Sequence, residues 1–181
     1  MELYFLRSSE QKIASDMLRY AYRLDEIGKN AEDFDTLRIY TKAYGLTRRD
    51  LGLYALKEHK VAGAVWIRLL SKENGANAFV DDMTPVLTIA VKPEFRGEGV
   101  GSAMLGQLLL EAASLFEQIS VSVLKESKAV RFYESFGFVK VDGSESKSPV
   151  DGAEVFTMLK KLDYKEVVRP TDGYDASKWM D

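Results

Sequence analysis

The sequence predicts a mixed α/β (α+β) domain built on one sheet. Three observations carry that reading. Helically spaced apolar residues dominate as far as Gly45. From Leu51 onward strand-like runs alternate with helical ones, and the chain then closes on strands. A glycine-rich stretch, RGEGVG at 96–101, sits between a short all-apolar run and a long helical one, which places strand, loop and helix mid-chain.

From the start of the chain, residues 3–7 alternate and read as a first strand. Residues 8–26 read as a helix: Ser8 or Ser9 can cap it, and Ile13, Met17, Tyr20 and Leu24 recur at helical spacing. After a polar break, residues 34–45 predict a second helix with Leu37, Tyr40 and Tyr44 on one face and Gly45 as its stop. Residues 51–58 and 61–70 are strand-like, with EHK between them as a hairpin turn that puts His59 at its tip. Asn74-Gly75 marks a turn in the loop that follows. VLTIAV at 86–91 predicts a central strand buried on both faces and ended by Lys92-Pro93. Beyond the glycines, Met104, Leu105, Leu108, Leu109, Ala112 and Phe116 form a helical stripe. Ile119, Val121 and Val123 share one side of a further strand. Ala129, Phe132, Tyr133 and Phe136 make a short helix face stopped by Gly137, and 138–141 and 153–162 read as two last strands. The expected division is one domain over 1–160, with 161–181 either a disordered tail or an arm packing through Trp179.

Composition narrows the function. A chain of 181 residues can bury a full core, and a net charge of −3 with no basic stripe points away from nucleic acid. No apolar run approaches the roughly 20 residues of a membrane span, and the N-terminus lacks a signal-peptide layout, so the expectation is a cytoplasmic protein with no membrane partner. The absence of cysteine removes disulfides, thiolate metal sites and cysteine nucleophiles. A single histidine, His59, argues against a histidine-rich metal site, and no metal is expected.

The glycines after a strand and before a helix suit a phosphate, because backbone N–H groups can approach an anion there. A dinucleotide fingerprint needs G-x-G-x-x-G, but the third glycine falls on Ser102 or Met104 in the two possible frames. A P-loop needs G-K-[ST], and Val100-Gly101-Ser102 has no lysine.

What does match is a pair of blocks in order: Arg96-x-x-Gly99-x-Gly101 after a strand, then Ala129-x-x-Phe132-Tyr133-x-x-x-Gly137-Phe138 after a second strand. These resemble the acetyl-CoA motifs of the GNAT acetyltransferase superfamily. The resemblance is strongest over 62–138, extends to Leu159, and looks like that of a bacterial branch of mostly unassigned substrate. It implies a mostly antiparallel sheet of about six or seven strands with a central V-shaped splay, flanked by about four helices. It implies acetyl-CoA as co-substrate, held by Ile89, Ala90 and Val91 along the splayed strand. Arg96, Gly97, Glu98, Gly99, Val100, Gly101 and Ser102 would hold the pyrophosphate, and Ser127, Ala129 and Phe132, at the helix of the second block, would also bind the cofactor.

The same resemblance makes Tyr133 the acid that protonates the departing thiolate, since a phenol of pKa about 10 suits a thiol of about 8.5. The base is open. Relatives carry an acid right after the proline, as in TPEL, but here that position is Val86. Asp81 and Asp82, just upstream, are the substitutes, and a water chain with no single base is the other option. Relatives also carry Asn where Glu126 stands, which leaves Ser127 to cap the helix. Tyr20, Tyr22, Tyr40 and Tyr44, with Asp25, Glu26, Glu32, Asp33 and Asp35, fall where the superfamily lines its acceptor side. The implied activity is acetyl transfer to a primary amine of a small molecule. The alternatives are a peptide or protein amine, or a CoA-binding module without turnover. Homodimerisation is common in the superfamily, with the last strand and the Trp179 tail as candidate contacts.

Overall fold

A computed structural model describes residues 1–47 and 49–164. The expected Trp179 contact and most of the 161–181 tail lie outside the described residues. Eight strands form one sheet: β1 (Glu2–Phe5), β2 (Leu51–Lys57), β3 (Lys60–Arg68), β4 (Val86–Val91), β5 (Gln118–Leu124), β6 (Val139–Lys140), β7 (Ser146–Lys147) and β8 (Glu154–Lys161). Their order is β1-β2-β3-β4-β5-β8-β6, with β7 also on β8. Every described pairing is antiparallel except β4 with β5. The mixed, mostly antiparallel sheet is the expected one. The two-residue β7 is the strand that hydropathy did not signal.

The β2–β3 hairpin turns on Glu58 and His59, both in the left-handed region at φ 52° and 62°. That conformation matches the twist of the flanking strands, and it leaves His59 at the tip as expected.

The helices cover both faces. On one, α2 (Val100–Ala112) buries Met104, Leu105 and Leu108 against Val65, Ile67, Ile119 and Val121. The short α3 (Ala129–Ser135) packs beside it and ends at Gly137, at φ 88°. On the other face, α1 (Gln11–Ala21) buries Ala14, Met17 and Leu18 against Ala64, Trp66 and Ala90. The cap expected from Ser8 or Ser9 is absent. Those residues open a 3-10 turn in which the Glu10 carboxylate accepts the Arg7 N–H at 2.9 Å.

The second expected α-helix is a 3-10 segment, Asp35–Tyr40. Side chains from elsewhere donate to four consecutive carbonyls at its end, those of 39–42, which a helix continuing to Gly45 would use. Arg68 Nη1 donates to Ile39 O and Lys42 O, Trp66 Nε1 to Tyr40 O, and Gln11 Nε2 to Thr41 O. Arg68 also pairs with Asp50 at 3.2 Å, with the two side chains 12% and 4% exposed. This buried knot fixes the segment on β3 and brings Tyr40 to the centre of the sheet.

Candidate active site

Strands β4 and β5 pair only through Val86 with Ser120 and Leu87 with Val121. Beyond Leu87 they part, and the sheet opens into a V. Backbone parity says which groups face the gap. Lys92 N–H donates to Ala62 O on β3, while Pro85 O accepts Ser120 N–H from β5. Hydrogen bonding alternates along a strand. Thr88 and Ala90 therefore turn their amides to β3, and Ile89 and Val91 turn theirs into the gap. Of the three strand residues expected to hold ligand, Ile89 and Val91 present backbone groups to the gap and Ala90 faces away.

At the open end, Gly97 and Gly99 lie in the left-handed region at φ 76° and 80°, where L side chains are strained. Gly99 precedes α2, whose first i→i−4 bond runs from Ala103 N–H to Gly99 O. The N–H groups of Val100, Gly101 and Ser102 thus have no intrahelical acceptor, and the dipole adds favourable charge for an anion. A Cβ on Gly101 would stand 3.6 Å from Val91 Cγ2 and 3.7 Å from Phe132 Cζ, so strand, loop and α3 converge there. Arg96 Nε donates back to Val91 O at 3.0 Å, and Glu98 pairs with Lys57 at 2.8 Å. Ser127 Oγ accepts the Ala129 N–H at 3.1 Å, capping the start of α3.

Toward the apex of the V lies a cavity of about 110 Å³, well above the roughly 10–15 Å³ that one water needs. Thr88, Ile89, Val121, Ser122 and Tyr133 line its sheet side. Tyr133 is 6% exposed, and no described residue takes its hydroxyl. Burial pushes its phenol well above the ordinary value, so it stays protonated. Tyr22, Arg23 and Tyr40 close the α1 side, and Ser148, Pro149 and Asp151 close the β7–β8 side. Burial, and then their mutual interaction, holds the Tyr22 phenol high. Burial does the same for Tyr40.

Asp81 and Asp82 are not in this lining. Both are exposed, in the turn before β4. Asp81 accepts from Met83 N–H, Thr84 Oγ1 and Gln118 Nε2, and its bond from Thr84 first, then that from Met83, holds its carboxyl below the ordinary value. Of the residues expected on the acceptor side, Tyr22 and Tyr40 line the cavity. Tyr44 is core, donating to Leu6 O, and Asp25, Glu26, Glu32, Asp33 and Asp35 lie outside the lining. Sequence reasoning missed Arg23 and Asp151. Nothing in a helix end or in a Pro-x-Asp-Gly turn says that the two meet across a cavity.

Among the described residues, no helix is long and apolar enough to cross a membrane. The model of the acetyltransferase (GNAT) domain matches residues 48–140. An uncharacterized protein of Mycobacterium leprae is 37% identical over 76 residues, 42% of this chain, and the match spans about a fifth of that relative's length, 21%. Among solved structures, a GNAT phosphinothricin acetyltransferase from Sinorhizobium meliloti in complex with AcCoA superposes with TM-score 0.63 at 19% identity, over 95% of this chain and 94% of that one. The ribosomal-protein-S18-alanine N-acetyltransferase of Escherichia coli gives 0.59 at 15% identity, over 96% and 99%. An acetyltransferase of the GNAT family from Streptococcus pneumoniae gives 0.61 at 19%, over 89% and 99%.

Proposed function

The chain belongs to the GNAT acetyltransferase family, and on that premise we propose that it moves the acetyl group of acetyl-CoA to a primary amine of a small molecule. The observation that carries the reading is the two-residue pairing of β4 with β5. It leaves Ile89 and Val91 amides facing a gap whose inner end is lined by the buried Tyr133.

The residues fit acetyl-CoA. The pantetheine arm pairs with the gap side of β4, and the pyrophosphate takes the free N–H groups at the start of α2. The Ile89 N–H meets the thioester oxygen and stabilises the charge that gathers there as the amine attacks. With no cysteine in the chain, the amine attacks directly in a ternary complex. Once bound, and before it attacks, it gives up one proton to solvent. After attack, Tyr133 protonates the leaving thiolate and recovers a proton from the nitrogen. Asp81, its oxygens already bonded in a turn, has no part in this reading, and neither does Asp82 beside it.

A small acceptor is favoured over a protein because Arg23 and Asp151, 3.5 Å apart, both line a cavity of only about 110 Å³. Thiol release from acetyl-CoA across polyamines, amino acids, aminoglycosides and short peptides tests the proposal. The expected result is release that depends on a small amine. Tight acetyl-CoA binding with no release from any amine would favour a non-catalytic CoA-binding module instead.

A further inference from the structure

Resting on the reading above, we propose that the acceptor is a zwitterion, an amine carrying a carboxylate close by, and that Arg23 and Asp151 select it. Arg23 takes the carboxylate and Asp151 the ammonium.

Four observations converge. First, Arg23 and Asp151 come from ends of the chain 128 positions apart and meet in the cavity wall at 3.5 Å. Among the described residues lining that cavity, Asp151 is the one carboxylate and Arg23 the one cation. Second, their contact is a single long bond, with the side chains 44% and 45% exposed. An ion pair this open is worth little in water, so a ligand bringing one charge of each sign can replace it on both sides at small cost. A ligand with an amine alone would leave the Arg23 guanidinium facing its apolar part.

Third, Arg23 sits at φ 55°, where α1 ends and the next 3-10 turn begins. Glycine is the inexpensive residue at that kind of helix stop, yet the chain places there the side chain that reaches the cavity. Fourth, the Asp151 carboxylate is aimed in advance. Its Oδ1 accepts the Ala153 N–H at 3.0 Å, leaving Oδ2 toward Arg23. The loop that carries it is tied down where Asn77 Nδ2 donates to Lys147 O. Opposite charges a few ångströms apart match the spacing of an α-amino acid's two groups.

The test compares matched acceptors in the thiol-release assay: α-amino acids, their carboxamides, and the corresponding amines lacking the carboxylate. The expected result is a kcat/KM at least tenfold higher for the free amino acid. In Arg23→Gly that preference falls to within about twofold. Glycine suits the left-handed position, so this variant keeps the helix stop and stays folded. Asp151→Asn should lower kcat/KM for every ammonium acceptor while leaving KM for acetyl-CoA unchanged. Turnover of amines with no preference for a carboxylate, or a preference that survives Arg23→Gly, overturns the assignment while leaving the acetyltransferase reading intact. No turnover with any amine defeats both.

Discussion

The two ends of the splayed gap are built in different ways. The end proposed for the cofactor is made of backbone: amides of β4, two left-handed glycines, and the first turn of α2, all within Ile89 to Ser102. The end proposed for the acceptor is made of side chains, Tyr22, Arg23, Tyr40, Tyr133 and Asp151, drawn from four separate stretches of sequence. Backbone sites tie their residues to fixed spacings and so to motifs. Side-chain sites need only meet in space, and can vary freely around a constant fold.

The sharpest way to test this division is at Tyr133, where the ends meet. Tyr133→Phe keeps the packing of the ring and removes the proton. It should lower kcat by about 10²–10⁴, the usual range for a lost general acid, with KM for acetyl-CoA nearly unchanged. Next in size is Arg68→Ala. It strands the buried Asp50 carboxylate and should cost about 3–5 kcal/mol of stability in denaturant unfolding. At temperatures where it remains folded, the acceptor KM should rise more than that for acetyl-CoA, because the knot holds Tyr40 and not the glycine loop.

Gly101→Ala separates fold from ligand at the other end. The added Cβ meets only ordinary contacts at 3.6 and 3.7 Å, and alanine is the better helix former by about 0.5–1 kcal/mol. Thermal stability should therefore hold or rise, while calorimetric affinity for acetyl-CoA falls about tenfold.

Alkaline titration probes the buried phenols together. Tyr22, Tyr40, Tyr44 and Tyr133 are all held above their ordinary value, chiefly by burial. The unfolded chain then releases their protons first, so stability is intact below about pH 10 and falls as pH rises beyond it. Phenolate absorbance of these four should appear only with unfolding, followed by circular dichroism. The smallest effect is expected at Asp81→Asn, which should leave kcat within about twofold. A fall of the size a lost general base gives, about 10²-fold or more, would return the base to that turn.

The same division explains what was legible in the sequence. The β4 run, the glycine loop, the α2 stripe and the Gly137 stop each follow from local periodicity or from a backbone conformation that demands glycine. The 3-10 segment after Phe34 was not legible. Its apolar spacing is helical as far as Gly45, and Arg68, Trp66 and Gln11, reaching in from elsewhere, meet the carbonyls of 39–42 where that helix would continue. Asp81 and Asp82 drew notice by nearness in sequence to β4, whereas Asp151 reaches the cavity from the β7–β8 loop with no local mark. The β4–β5 splay is itself a tertiary fact. Periodicity reports two good strands and says nothing of where their pairing stops.

Amide NMR during stepwise addition of acetyl-CoA tests the central claim most directly. The account predicts large shifts at Ile89, Val91 and Gly97 through Ser102, with Ala90, Arg23 and Asp151 little moved until an amino acid is added. Shifts confined to other surfaces, with Ile89 and Val91 silent, would contradict it.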